Sequence, residues 1–167
     1  MTSSRFDRRQ TDRPVEIVIT GPRYKTSAEC TAILRELPEW FGIEESIVQY
    51  STEIERNPNF LAQTSGRVIG FLSLKIHNPY SAEILVMGFL PEFHRHGMGR
   101  SLINASEDWL RQQGVEYLQV KTLGPTNHDL NYANTRKFYL AMGFRPLEEL
   151  SQIWDEQNPC LILVKRL

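Results

Sequence analysis

Residues 87–100 read MGFLPEFHRHGMGR, and this stretch decides the fold. An apolar segment typical of a strand ends at Pro91, a short basic turn follows, and an amphipathic segment begins at Met98. Glycine in a helix costs about 1 kcal/mol relative to alanine, yet Gly97 and Gly99 stand where this helix begins. The order predicts a strand, a specialised turn and a helix in direct succession.

The turn has the composition of an anion-binding site. A helix N-terminus exposes unpaired backbone N–H groups at the positive end of the helix dipole. Glycine lets a phosphate approach those groups without a Cβ in the way. Arg95 and Arg100 flank the turn and add positive charge. The alternative is that the glycines only close a tight turn against the sheet, but the strand, the basic residues and the long helix together favour phosphate binding.

The composition is that of a soluble globular protein. The chain has 167 residues, of which 41% are hydrophobic and 23% charged, with 19 basic and 20 acidic side chains. This length supports one core, and the near-zero net charge argues against nucleic acid as a partner. No segment resembles a signal peptide or a membrane span, so we expect a cytoplasmic protein without a membrane partner. Residues 1–14 are predicted to be a flexible lead-in, and residues 15–167 a single domain.

The spacing of apolar residues predicts seven strands and four helices in a mixed α/β (α+β) fold. Strands are expected at 15–20, 60–64, 67–77, 82–90, 117–123, 144–150 and 159–167. Helices are expected at 27–37, 43–56, 98–114 and 132–142. Ser65-Gly66 matches a two-residue hairpin turn, and the segment 82–90 is apolar enough to be a central strand.

The cysteines and histidines match no metal site. Cys30 and Cys160 are far apart and have no metal or redox spacing, so we expect buried or free thiols in a reducing cytoplasm. His94 and His96 could chelate, but no carboxylate or cysteine completes a set near them. No metal is therefore predicted.

Two ordered motifs resemble those of the GNAT superfamily of acyl-CoA-dependent N-acyltransferases. The first is the stretch 87–100, in which a hydrophobic-Pro pair ends a strand and a Gly-x-Gly turn follows. The second is RKFYLAMGF at 136–144, which resembles the family's aromatic-Tyr-xxx-Gly-Phe segment. The resemblance implies a mainly antiparallel sheet of about seven strands with about four helices and a V-shaped splay after the fourth strand. A bulge opens the splay in the family, and Gly88 suits such a bulge.

The resemblance also implies where acetyl-CoA binds. The diphosphate would lie on the amides of residues 95–100, and the pantetheine arm would run along the fourth strand like an added strand. An amide near Phe89 would point at the thioester oxygen. The predicted cofactor-binding residues are Met87, Gly88, Phe89, Arg95, His96, Gly97, Met98, Gly99, Arg100, Asn131 and Asn134.

Two positions depart from the family pattern. His94 stands where the first motif usually has Gln or Arg, although it can still donate a hydrogen bond. The family often has Asn seven residues before its tyrosine, and Tyr132 occupies that place here. Asn131 and Asn134 lie on either side of it and are the candidate contacts to the pantetheine arm.

Tyr139 and Glu83 are the candidate catalytic residues. By resemblance, Tyr139 is the general acid that protonates the departing thiolate, and a core aromatic is its alternative role. Glu83 is the one ionisable residue inside AEILVMGF, and histone-acetylating members of the family have a glutamate at this place, so it is the candidate base for the attacking amine. The alternatives are a solvated carboxylate at a strand end and a water chain that leads to His128 or Asp129.

The implied function is acetyl transfer from acetyl-CoA to a primary amine by direct attack in a ternary complex. A small-molecule acceptor is favoured over a protein or peptide. A non-catalytic acyl-CoA sensor is the main alternative, and a protein that binds another phosphate ligand is a third. The turn lacks the Lys-Ser/Thr ending of a P-loop and the three glycines of a dinucleotide fold, which argues against the third.

The acceptor wall is expected around residues 37–56, and the loop 123–132 is expected to border the same cleft as a lid. Trp40, Phe41 and Tyr50 are the aromatic residues available there. The glutamates of the second helix could attract a cationic amine or could face solvent. Many relatives form homodimers through sheet edges or C-terminal strands, and the segment 160–167 is the candidate for such pairing.

Overall fold

The computed structural model describes residues 16–167, and the predicted lead-in of residues 1–14 lies outside them. Within these residues the α-helices are Ser27–Arg35 (α1), Glu44–Arg56 (α2), Met98–Gln112 (α3) and Leu130–Ala141 (α4). The strands are Val18–Arg23 (β1), Asn59–Thr64 (β2), Arg67–Asn78 (β3), Ser81–Phe89 (β4), Tyr117–Leu123 (β5), Arg145–Leu150 (β6) and Cys160–Arg166 (β7). The predicted mixed fold class, with seven strands and four helices, is confirmed.

The strands form one sheet in the order β1-β2-β3-β4-β5-β7-β6. All neighbouring strands are antiparallel except β4 and β5, which are parallel. The apolar strand β4 lies centrally, as its composition predicts. Ser65 and Gly66 join β2 to β3 with φ values of 48° and 78°, and two positive φ values are what a type I′ hairpin turn requires.

The sheet splays apart between β4 and β5. Their pairing runs from Ser81 with Tyr117 to Ile84 with Val120 and continues no further. Beyond Ile84, the edge of β4 that faces β5 therefore carries backbone groups without a strand partner. This gap is the V-shaped slot that the family resemblance implies.

The bulge that accompanies the splay is at Leu85 and not at Gly88. Ser73 pairs with Val86 but Leu74 pairs with Ile84, so Leu85 is the extra residue on β4. Gly88 stays in register with β3. A Cβ on Gly88 would lie 3.1 Å from Leu37 Cδ1, so this glycine is needed for the close packing of the segment after α1.

The helices cover both faces of the sheet. Gly88 of β4 faces α1. Phe60 of β2, which points to the other face of the sheet, packs against Trp109 of α3 with ring centroids 6.1 Å apart. Because successive strand residues point to opposite faces, α1 and α3 lie on opposite sides. Phe71 and Phe144 are the largest fully buried side chains of the core.

Strand β1 extends further than the sequence predicts. The prediction ended at residue 20 because Gly21-Pro22 is a turn signal, but the strand runs from Val18 to Arg23. Strand β1 is at the sheet edge, where the missing N–H of a proline is tolerated. Gly21 is tightly placed, since a Cβ there would lie 2.6 Å from the ring of Phe60.

Strand β7 is an inner strand of the sheet. It lies between β5 and β6, and both of its edges are paired. Within this sheet β7 therefore has no free edge, and the homodimer through the segment 160–167 stays a prediction. The chain reaches β6 before β7, and local sequence does not reveal that β7 inserts between β5 and β6. Within residues 16–167, the edges of the sheet belong to β1 and β6.

Candidate active site

The turn before α3 leaves backbone donors unpaired. Gly97 is the N-cap residue with φ of +76° and no side-chain cap, and the helix's first turn contains no acidic residue. The N–H of Ser101 is the first to donate within the helix, to the carbonyl of Gly97, so the N–H groups of residues 98–100 have no intrahelical acceptor. No atom lies within 4 Å of a Cβ built on Gly97. The turn therefore presents an open set of amides to an anion.

The basic residues of the turn are next to these amides in sequence and are accessible to solvent. Arg95, His96 and Arg100 are exposed, as a role in binding a solvent-accessible anion requires. Arg95 has φ of +63° although it is not glycine. A left-handed backbone at a non-glycine residue costs about 1–3 kcal/mol and is often found at functional sites.

Gly99 has a packing role that the sequence did not indicate. A Cβ on Gly99 would lie 2.8 Å from Cζ of Phe138 on α4. The absence of a side chain at Gly99 therefore lets the first turn of α3 pack closely against Phe138, which precedes Tyr139 on α4. The side chain of Met98 is buried, so only its backbone is available to a cofactor.

The backbone N–H and C=O groups of successive β4 residues point alternately to β3 and to the slot. The N–H of Leu90 donates to the carbonyl of Ile69, which makes this a hydrogen-bonded antiparallel pair. Since such pairs alternate with non-hydrogen-bonded ones, the polar backbone groups of Met87 and Phe89 face the slot. Those of Gly88 are directed at β3. Gly88 was predicted to contact the cofactor, but its backbone faces the opposite edge of the strand.

His94 occupies the carboxyl end of the slot. Its Nε2 lies 2.9 Å from the carbonyl oxygen of Phe89. Since a carbonyl only accepts, Nε2 carries the proton. The ring also contacts Trp40 edge to face, with centroids 6.0 Å apart. His94 thus connects the turn before α3 both to β4 and to the segment between α1 and α2.

Tyr139 is buried on α4 and remains protonated. It is 5% exposed, and its ring packs against Phe138 and Phe144 at centroid distances of 5.3 and 5.5 Å. Burial, with a smaller contribution from nearby Tyr50, raises the pKa of Tyr139 above that of an ordinary phenol. A protonated phenol suits proton donation and not proton acceptance.

Glu83 lies at the base of the slot and is held by three side chains. Lys121 Nζ contacts both carboxylate oxygens, at 3.1 and 2.9 Å. His77 Nε2 lies 2.7 Å from Oε2, and the amide of Gln119 donates to the same atom at 3.3 Å. The carboxylate is 5% exposed, so its burial is compensated by a cation and by hydrogen bonds.

The sequence analysis missed the partners of Glu83. Gln119 and Lys121 alternate on one face of β5, and Glu83 lies opposite Gln119 in the parallel register. Strand alternation would have placed both side chains on one face, but only the pairing of β5 with β4 brings them to Glu83. His77 comes from β3, six residues away in sequence.

Tyr132 closes the cleft where the family often has asparagine. Its hydroxyl donates to the carbonyl of Trp40 at 3.2 Å and so connects α4 to the segment between α1 and α2. Tyr132 and Tyr139 are seven residues apart and share one face of α4. Asn131 and Asn134 are rotated from Tyr139 by about 80° and 140° around the helix. The two asparagines therefore do not share the face of the predicted acid.

Both cysteines are buried and free, as predicted. Burial raises the pKa of the Cys30 thiol to about 12. Among residues 16–167, no group of three or more His, Cys, Asp or Glu side chains is arranged to hold a metal ion. None of the helices in that range is long and apolar enough to cross a membrane.

The family model for the acetyltransferase (GNAT) family matches residues 28–144. This chain belongs to the GNAT acetyltransferase family. Its sequence is similar to an uncharacterised N-acetyltransferase of Chlorobaculum tepidum, with 29% identity over 139 residues, or 80% of this chain and 82% of the relative. The chain is therefore an acyltransferase of the GNAT type, and the match includes both of the motifs that carry the resemblance.

Solved structures agree with this assignment at the level of the fold. A protein assigned to the GNAT family from Desulfovibrio desulfuricans superposes with a TM-score of 0.79 and 14% identity, over 90% of this chain and 99% of that one. A GNAT acetyltransferase from Elizabethkingia anophelis, whose structure contains bound acetyl-CoA, superposes with a TM-score of 0.66 and 18% identity. That alignment covers 90% of this acetyltransferase and 98% of the other chain.

Proposed function

We propose that this acetyltransferase moves the acetyl group of acetyl-CoA to a primary amine of a small molecule, by direct attack within a ternary complex. One observation carries the proposal. The open edge of β4 begins just beyond Ile84, next to the buried Glu83, and leads toward the unpaired amides before α3. This arrangement supports a diphosphate at the turn and a thioester near Glu83.

In this proposal the turn holds the diphosphate. Anions bind at a helix N-terminus because the amides and the helix dipole both favour negative charge. The amides of residues 95–100 would contact the phosphates, and the exposed guanidinium groups of Arg95 and Arg100 would add charge-assisted hydrogen bonds. Asn131 and Asn134 remain candidates for a more distant contact with the pantetheine arm.

The pantetheine arm would pair with Met87 and Phe89, whose polar backbone groups face the slot. This pairing resembles the addition of a strand to an open sheet edge. It would direct the N–H of Phe89 at the thioester carbonyl oxygen. A fixed donor at this place stabilises the negative charge that develops when the amine attacks.

The chemistry then needs two proton transfers. The amine nitrogen forms a bond to the acetyl carbon, the carbon–sulfur bond breaks, and the phenolic proton of Tyr139 goes to the departing sulfur. The attacking nitrogen gives its proton to Glu83, directly or through water. Because Lys121 and His77 already contact this carboxylate, a proton that reaches Glu83 has a hydrogen-bonded route onward through His77. Tyr139 recovers its proton from solvent after the products leave.

The test is a thiol-release assay with acetyl-CoA and a library of amines. Tyr139→Phe preserves the ring that packs between Phe138 and Phe144, and it should lower kcat by about 10²–10⁴-fold with little change in the affinity for acetyl-CoA. Tyr117→Phe is the matched control, because Tyr117 is 43% exposed, and it should leave turnover unchanged. Unchanged turnover in Tyr139→Phe would exclude Tyr139 as the acid. Tight binding of acetyl-CoA with no release of CoA for any amine would instead favour a non-catalytic sensor.

A further inference from the structure

Four aromatic side chains lie together beside the slot, and we call them the aromatic wall: Trp40, Phe41, Tyr50 and Tyr132. The rings of Phe41 and Tyr50 meet edge to face at 5.9 Å. The hydroxyl of Tyr132 is bonded to the backbone of Trp40. All four residues are only partly buried, so each ring keeps accessible surface. The wall joins α2, α4 and the segment that precedes α2 into one unit.

The aromatic wall lies beside the groups that would carry the reaction. The Trp40 ring contacts His94, which is bonded to the slot-facing carbonyl of Phe89. Burial raises the pKa of Tyr50, and the nearby charge of Glu83 raises it further. Tyr50 in turn contributes to the raised pKa of Tyr139. Tyr50 is therefore within electrostatic range of both candidate catalytic residues.

Three of the four glutamates of α2 already have partners, and the fourth, Glu45, is exposed. On α2, Glu44 is paired with Arg35 at 2.7 Å and Glu53 with Lys75 at 3.3 Å. Glu55 accepts a hydrogen bond of 2.6 Å from the hydroxyl of Ser27. These contacts favour the alternative that the glutamates of this helix lie on a solvated surface.

The negative charge of Glu83, at the base of the slot, is also paired with a positive charge. Glu83 is the buried carboxylate there, and Lys121 contacts it at 2.9 Å. The side chain of Lys121 is 29% exposed, so part of it is accessible to solvent. A second positive charge on the acceptor would therefore meet a lysine instead of an unpaired carboxylate. An apolar or aromatic body would meet the rings of the aromatic wall.

Resting on the proposed function, we infer that the acceptor is a monoamine with an aromatic or large apolar body, and not a polyamine or an aminosugar with several positive charges. The rings of the wall favour removal of such a body from water. The single amine would be placed over Glu83, between that carboxylate and the thioester.

The test compares amines on the unmodified full chain with acetyl-CoA as the donor. The probes are 2-phenylethylamine and tryptamine, hexylamine as an apolar monoamine without a ring, and spermidine and kanamycin as polycations. We expect kcat/KM for the two arylalkylamines to exceed that for spermidine and kanamycin by about tenfold or more, the effect of burying a large apolar group. Equal or better turnover of either polycation would overturn this inference and leave the proposed function standing. Silence with every amine, despite acetyl-CoA binding, would overturn both.

A variant of the aromatic wall separates the acceptor from the cofactor. Tyr50→Leu should raise KM for 2-phenylethylamine by about tenfold and reduce its advantage over hexylamine, while KM for acetyl-CoA stays the same. Val48→Ala is the control, because Val48 is also on α2 and is 54% exposed. An unchanged KM for 2-phenylethylamine in a folded Tyr50→Leu protein would remove Tyr50 from the acceptor site.

Discussion

Replacement of Lys121 by methionine tests whether Glu83 is a buried, compensated carboxylate. Methionine keeps most of the length of the side chain but removes the ammonium group that contacts both carboxylate oxygens. The side chain of Glu83 is 7% exposed, so water cannot fully replace the lost contact. We expect Lys121→Met to destabilise the fold at neutral pH.

The magnitude follows from the remaining partners of Glu83. Breaking a buried ion pair by removing one partner costs about 3–5 kcal/mol. That value is an upper bound here, because Lys121 is 29% exposed and because His77 and Gln119 still contact Oε2. A loss of about 1–3 kcal/mol is expected, the cost of leaving one buried polar group incompletely satisfied. For a chain of this size that corresponds to a fall in Tm of about 2–12 °C.

Lys75→Met is the matched control. Lys75 lies on the same face of the sheet and pairs with Glu53 at 3.3 Å, but the two side chains are 40% and 43% exposed. Exposed ion pairs contribute about 0–1 kcal/mol. Thermal and urea unfolding of the two variants, side by side with the parent protein, measure the difference. Equal losses in the two variants would contradict the description of Glu83 as a buried charge held by Lys121.

Three further predictions concern the turn before α3 and the tyrosines. Gly99→Ala should reduce both stability and kcat more than Gly97→Ala, because the new Cβ at position 99 meets the ring of Phe138. A Cβ at position 97 meets open space, so Gly97→Ala should cost only about 1–2 kcal/mol, the penalty for a left-handed backbone at a non-glycine residue. Unfolding and turnover assays on both variants test this. Because the pKa of Tyr139 is raised, the folded state keeps a proton that the unfolded state loses above about pH 10. The free energy of unfolding of the parent should therefore fall from that pH upward. Urea titrations at about pH 7 and 11 should show a smaller fall for Tyr139→Phe. Tyr132→Phe removes the hydrogen bond between α4 and the segment before α2 and should lower stability by about 0.5–1.5 kcal/mol, which urea unfolding would detect; no change would mean that the bond is not formed in solution.

The sequence predicts the elements of this fold well because their signals are local. The apolar run of β4 and the amphipathic pattern of α3 specify a central strand and the helix after it, and the two glycines between them mark the turn. Ser65-Gly66 specifies its hairpin by turn chemistry alone. The predicted position of Tyr139 on a helix is confirmed as well, because the helical spacing of its neighbours is visible in one window.

Other features depend on contacts between distant segments. The bulge lies at Leu85 because of how β3 and β4 pair around it, and glycine at position 88 is explained by packing under α1 and not by strand geometry. The insertion of β7 between β5 and β6 is a property of the whole sheet. The contacts of Glu83 come from β3 and β5, so no local pattern around position 83 contains them.

The central claim is that the amides before α3 bind the diphosphate of acetyl-CoA. Amide chemical shifts in an ¹⁵N-labelled sample, titrated with CoA and separately with pantetheine, test it most directly, because pantetheine lacks the phosphates but keeps the arm. The account predicts that CoA shifts the amides of Gly97, Met98 and Gly99, and that pantetheine affects β4 while leaving those amides unchanged. Saturation by CoA without any shift at these three amides would contradict the account.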